Sequence, residues 1–203
     1  MGKIFCLIGK SSTGKDSIYN ELFARGKAPV KKLIPYTTRP IREGEENGRE
    51  YFFCTEADVS RLEVEGRIIE LRAYNTVYGV WKYFTVYDEQ IRLADNSYLL
   101  IGTLAMYEKI RDYFGAERVL PIYIEVEDGE RLIRAIGRER TQDTPKYAEM
   151  CRRFLADDAD FSEDKLQADH IDIRFENTNL SDTIEKVEAY IRQEVEADAN
   201  QSR

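Results

Sequence analysis

Gly9-Lys10-Ser11-Ser12-Thr13-Gly14-Lys15 is the segment of this sequence best suited to chemistry. Its two glycines let successive backbone N–H groups turn inward around an anion, and Lys15 adds a mobile ammonium that reaches terminal phosphates. The spacing is that of a P-loop. That pattern places Ser or Thr after the lysine to touch Mg²⁺; here Asp16 stands there, followed by Ser17. Either Asp16, directly or through water, or Ser17 is the expected metal contact.

A second constellation follows at Thr37-Thr38-Arg39-Pro40-Ile41-Arg42-Glu43-Gly44-Glu45, with Gly48 and Tyr51 close behind. Two arginines three positions apart can clamp one phosphate from two sides, each with bidentate geometry, and a tyrosine hydroxyl adds a third donor. Alone, such a loop reads equally well as solvated surface. Beside a phosphate loop it reads as a second anion site, an acceptor opposite a donor. Further on, Arg134 and Arg138 share one helical face, and Arg153 lies about one lid-length later, with Arg140 and Arg152 as alternatives.

These residues need a scaffold. Lys3–Ile8 reads as a buried strand and Ser17–Arg25 as a helix, so strand, glycine loop and helix open a parallel α/β unit. Residues 34–83 change texture, with Pro35, Pro40 and several turn glycines. A strand at 51–54, a helix capped by Thr55 and a strand at 67–72 make this a small α+β insert. The main sheet resumes with strands at 98–101 and 121–126 and a short one at 174–176; helices are expected at 103–113, 129–140, 146–159 and 181–196, with fraying beyond. The expected fold class is α/β, three layers around a central, mostly parallel sheet. One domain is expected over residues 1–203, with core at about 1–33 and 84–196, insert at 34–83 and a helical lid at 134–158.

Composition narrows the function classes. With 203 residues, 42% apolar, the chain can bury a core. A net charge of −8 gives no general attraction for nucleic acid. No run of 18 apolar residues predicts a membrane span, and the N-terminus lacks the pattern of a secretory signal, so a cytoplasmic protein is expected. Cys6, Cys54 and Cys151 are far apart and His170 is the only histidine, which argues against a zinc site or a histidine triad.

The ordered set resembles the guanylate kinase family: the P-loop, then TTRPIREGEENGREYFF, then Ile68-Ile69-Glu70, then Tyr78-Gly79. The resemblance runs from about Lys3 to Leu180. It implies ATP-dependent phosphorylation of a nucleoside monophosphate, GMP or dGMP first, with Mg²⁺ accompanying ATP. It implies ATP binding at Gly9, Lys10, Ser11, Ser12, Thr13, Gly14, Lys15, Asp16 and Ser17, with Asn177 on the adenine side. It implies an acceptor site of Arg39, Arg42, Glu45, Tyr51, Glu70, Tyr78 and Gly79. There Glu45 orients the arginines and Glu70 accepts from the N1 and N2 edge of guanine. Lys15, Arg39, Arg138 and Arg153 are the implied catalytic groups.

Three positions depart from the family pattern. Pro35 stands where a serine helps hold the acceptor, Val80 where Ser or Thr reads the guanine carbonyl, and Leu100-Ile101-Gly102-Thr103 where one or two aspartates end the strand. Asn75, Thr76 and Thr103 are candidate substitutes. These departures leave open a different or modified acceptor nucleotide. A binding module without catalysis is the rival from another class, but such modules tend to lose the loop that this chain keeps. A P-loop hydrolase or regulator would not need the Arg39, Arg42 and Tyr51 set.

Overall fold

The computed structural model describes residues 2–76 and 78–201. In chain order the elements open with β1 (Ile4–Ile8), α1 (Lys15–Arg25), β2 (Lys31–Lys32), β3 (Tyr36–Thr37), β4 (Phe52–Phe53), α2 (Glu56–Val64), β5 (Ile68–Thr76) and β6 (Gly79–Val86). They continue with β7 (Tyr98–Ile101), α3 (Leu104–Phe114), β8 (Val119–Glu125), α4 (Asp128–Arg140), α5 (Tyr147–Asp160), α6 (Glu163–Ala168), β9 (Arg174–Glu176) and α7 (Leu180–Gln201).

The main sheet has the order β2-β7-β1-β8-β9, and every pairing in it is parallel. Its central strand β1 is buried on both faces, as a continuous apolar run requires. Ile4, Cys6 and Ile8 face α3 and α6 through Met106, Ile110 and Leu166. Phe5 and Leu7 face α1 and α7 through Ile18, Leu22, Ile184 and Val187. The three layers expected from the sequence are present, and α7 runs past residue 196 to Gln201.

The insert is a separate four-stranded sheet of order β4-β3-β6-β5. Thr55 caps α2 in a reciprocal capping box with Asp58. Val59 and Leu62 of α2 then pack on Phe84 and Val86 of β6. The expected boundary at residue 83 is therefore corrected: residues 84–86 complete the insert's own core and belong to it rather than to the main sheet. Strands β2, β3 and β6 and helix α6 have no counterpart in the sequence reading. Both residues of β2 are exposed lysines, and α6 buries only Leu166. The lid expected at 134–158 falls across the end of α4 and most of α5.

Candidate active site

β1 feeds the loop from Gly9 to Gly14, and α1 opens at Lys15 with its N-terminus at the loop. Gly9 passes so close to β8 that a Cβ would stand 2.4 Å from the Ile124 carbonyl oxygen. Gly14 has φ 87°, and its Cβ would lie 2.5 Å from Asn177 Nδ2. The buried Ser12 hydroxyl finds no partner among the described residues, although Ser12 itself holds a φ of 64°. An unspent hydroxyl on a glycine loop ahead of a helix suits a phosphate.

The loop is braced from the C-terminal ends of β8 and β9. Asn177 Nδ2 donates to the Thr13 carbonyl at 2.8 Å, and Arg134 Nη2 donates to the Asn177 carbonyl at 3.0 Å. Asn177 is buried. One of its amide N–H groups therefore braces the loop.

Lys15 Nζ lies 3.5 Å from the Lys10 carbonyl oxygen and 4.0 Å from an Asp16 oxygen. Burial lowers its pKa; Asp16 and Asp157 oppose that shift, while Arg138 and Arg131 add to it. Arg138 is thus within electrostatic reach of Lys15. Arg153 is not brought there. It is exposed and bonds Glu149 on its own helix at 3.1 Å, and Arg152 grips the same carboxylate at 2.7 Å. The side chains that α5 sends to the loop are instead acidic. Asp157 Oδ2 accepts from the Ser11 N–H, and Asp158 Oδ1 accepts from Lys10 Nζ, both at 2.7 Å. Beneath them Arg131, 0% exposed, donates to the Ser11 carbonyl at 3.2 Å, pairs with Asp128, Asp157 and Asp158, and lies over the Phe154 ring.

Asp16 and Ser17 are both exposed in the first turn of α1. Among the described residues no cluster of three or more His, Cys, Asp or Glu could cage a metal. One carboxylate beside a phosphate loop is nevertheless the donor set that Mg²⁺ takes when phosphates and water complete its shell, so the residues fit.

The second candidate anion site lies in the insert. Arg39 is 3% exposed, with Nη2 and Nη1 donating to the two Glu45 oxygens at 2.7 and 3.0 Å. Glu45 also accepts from the Arg42 backbone N–H at 2.8 Å, so it holds the Arg39 guanidinium and the Arg42 main chain. The Arg42 guanidinium is exposed, yet it helps lower the Glu45 pKa behind the larger effect of the Arg39 hydrogen bonds. Arg39 lies over the Tyr51 and Phe53 rings, with centroids at 5.5 and 5.6 Å. Burial raises the Tyr51 pKa first, and Tyr83, Arg39, Arg72 and Asp16 all contribute electrostatically. Tyr51 is thus within electrostatic range of Asp16 in the first turn of α1.

Two acceptor-site expectations change. The Glu70 side chain is only 1% exposed, and its oxygens are taken by Arg72 Nε at 2.9 Å, Arg72 Nη2 at 3.4 Å and Thr85 Oγ1 at 2.8 Å. It has no open face for a base edge. Tyr78 and Gly79 sit at the tip of the β5–β6 hairpin, where Tyr78 is 82% exposed and stacks on Trp81. Among the described residues, nothing joins Tyr78 to the Arg39–Tyr51 group. The sequence reading missed Arg72, Thr85, Arg131, Asp157 and Asp158. Strand alternation from Glu70 pointed to Arg72, and helical spacing back from Arg134 and Arg138 pointed to Arg131.

The family model for guanylate kinase matches residues 1–194. A guanylate kinase of Thermotoga maritima is 28% identical over 197 residues, covering 95% of this chain and 87% of the relative. One of Anaplasma phagocytophilum is 29% identical over 153 residues, covering 71% and 67%. The crystal structure of guanylate kinase from Anaplasma phagocytophilum superposes with a TM-score of 0.67 at 21% identity, covering 96% of this chain and 86% of that one, and shares its fold.

Proposed function

Because the chain belongs to the guanylate kinase family, we propose that its two facing anion sites carry the terminal phosphoryl group of ATP to GMP. The observation that carries this reading is Tyr51. It packs against Arg39 in the insert and lies within electrostatic range of Asp16 at the head of α1, which supports an acceptor clamp opposite the donor loop.

In this reading the loop from Gly9 to Gly14 and Lys15 hold the β- and γ-phosphates. Arg39 and Tyr51 hold the acceptor phosphate, and Arg42 turns in from solvent to complete the clamp. Arg138 stabilises charge on the moving group, and Arg153 joins it when α5 shifts and releases Glu149. A divalent cation, Mg²⁺, would be held by Asp16, with Ser17 beside it, and supplies neutralisation of phosphate charge when bound. The acceptor oxygen is already anionic near neutral pH, so no strong base is required. Catalysis is alignment and electrostatics. Closure of insert and lid excludes water and protects ATP from hydrolysis.

No described helix is long and apolar enough to cross a membrane. The partners are ATP and a nucleoside monophosphate rather than nucleic acid or lipid, and the compartment that supplies both is the cytoplasm. The test is a panel of GMP, dGMP, AMP, UMP and CMP with ATP, followed by ADP release. Transfer to GMP that vanishes in a folded Lys15→Met variant supports the reading; full activity in that variant sinks it. A different acceptor is the second reading, and the sealed Glu70 carboxylate favours it.

A further inference from the structure

Two stretches of chain join the insert to the core: 33–35, leading from β2 into β3, and 87–97, leading from β6 to β7. Side chains bind these crossings to each other. Gln90 Oε1 accepts from the Ile34 backbone N–H at 3.1 Å, and Gln90 Nε2 donates to the Ile34 carbonyl at 3.3 Å. One side-chain amide thus takes both main-chain groups of Ile34, as a residue of a neighbouring strand would. Asp88 fixes the orientation of that amide. Its Oδ2 accepts from Gln90 Nε2 at 3.1 Å, and its Oδ1 accepts from the Gln90 backbone N–H at 2.9 Å. Asp88 Oδ2 also accepts from the Tyr36 hydroxyl. Pro35 has no N–H to give a ladder at this point, so side chains supply the cross-link.

Both ends of this stem are anchored. On the insert side the Tyr36 ring packs on Phe52 and Phe84, with centroids at 4.9 and 5.5 Å. Burial first, then the bond to Asp88, raises the Tyr36 pKa, so its hydroxyl stays a donor. On the core side the Leu33 N–H donates to the Leu99 carbonyl of β7 at 3.1 Å. The Tyr87 ring meets Tyr113 and Phe114 at the end of α3, at 6.0 and 6.2 Å.

The stem leads straight to the acceptor clamp. Thr37 follows Tyr36 in β3 and is fully buried. Its Oγ1 accepts from the Arg39 backbone N–H at 3.1 Å and donates to the Lys82 carbonyl at 2.8 Å. Arg39 therefore stands within about 10 Å of Tyr36 at strand rise, on a segment pinned to β6. A turn of the stem carries the guanidinium with it.

We propose that Asp88 and Gln90 are positioning residues for the acceptor clamp: they close the two crossings into one stem, which sets where Arg39 stands relative to the phosphate loop. The effect on rate rests on the two-site phosphotransfer reading above, whereas the stem is measurable without substrate. Both residues act through β3 rather than on the substrate.

The test places spin labels at Glu63→Cys on α2 and Lys186→Cys on α7, both exposed positions, in a Cys54→Ser, Cys151→Ser background. Cys6 is fully buried and stays. Double electron–electron resonance reads the distance distribution without nucleotide, and steady-state kinetics use ATP and GMP. The parent is compared with Gln90→Ala and with Gln90→Glu, which sets a carboxylate against the Ile34 carbonyl and Asp88. Circular dichroism checks the fold, and Gln90→Glu, of the same size, decides if Gln90→Ala does not fold. Both variants are expected to broaden the distribution. The kcat/KM for GMP is expected to fall about 10- to 100-fold, up to what a misplacement of about 1 Å costs, with the KM for ATP unmoved. A distribution as narrow as the parent's overturns the proposal, and so does a broadened one with transfer to GMP unchanged. An equal loss for ATP overturns it too, since that marks a general loosening of the fold. A parent chain that transfers nothing to GMP, while the variants still broaden the distribution, leaves the stem standing and defeats the phosphotransfer reading instead.

Discussion

The Asp157 carboxylate accepts a hydrogen bond from the Ser11 backbone N–H at 2.7 Å, so helix α5 rests on the rim of the phosphate loop through an anion. Arg131 makes this tolerable. Its guanidinium is fully buried among Asp128, Asp157 and Asp158, and without it Lys10 alone would be left to offset Asp128 and Asp158.

Removing that cation tests the arrangement. Arg131→Met is expected to cost about 3 kcal/mol, the lower end for breaking a buried pair, because the acidic partners are partly solvated. Adding Asp157→Asn should restore part of the loss by deleting the stranded charge. Urea denaturation midpoints measure both. An unchanged midpoint in Arg131→Met would show that α5 does not depend on this contact.

The Glu45–Arg39 pair should govern acceptor binding more than turnover. Glu45→Gln keeps the shape but removes the charge that both arginines share. The KM for the acceptor is expected to rise about tenfold, equivalent to ~1.4 kcal/mol, with the KM for ATP unmoved. Steady-state kinetics with each substrate varied in turn distinguish this from a general loss of fold.

Asn177 should behave as a brace. Asn177→Asp replaces the donor facing the Thr13 carbonyl with an acceptor, which is expected to destabilise the chain by about 1–3 kcal/mol and weaken ATP. If the side chain instead selects the donor base, the ratio of kcat/KM for ATP over GTP as donor will collapse in the variant. A brace leaves that ratio where it was.

Lys15 sets an alkaline limit. Burial lowers its pKa against the opposing pull of Asp16 and Asp157. The folded chain therefore gives up this proton before the unfolded chain does. Between the lowered value and the ordinary lysine value of about 10.4, deprotonation favours the folded state while the ammonium needed for phosphates disappears. The kcat/KM for ATP is expected to fall in that window even as Lys15's contribution to stability rises. Lys15→Arg should shift the falling limb upward in whatever activity remains. A limb that stays in place would assign it to another group.

The amino-acid order alone carried the parallel sheet, the flanking helices, the phosphate loop and the arginine pair. All of these rest on local signals. An apolar run before two glycines and a lysine names strand, turn and helix within about fifteen residues. Thr55 with Asp58 likewise announced α2 through its cap. The fate of individual charges was not local. Glu70 read as an open carboxylate until strand pairing set Thr85 beside it and alternation put Arg72 on the same face. Arg153 read as part of the lid's charge clamp, yet its own helix offers Glu149 one turn away, while Asp157 from the same helix meets the loop. Tyr78 was placed by a hairpin turn at an exposed tip rather than in the cleft. A residue's type states what it is able to bind. Which partner satisfies it is decided by packing, because a buried charge must take the nearest compensating group that the fold brings within hydrogen-bond distance.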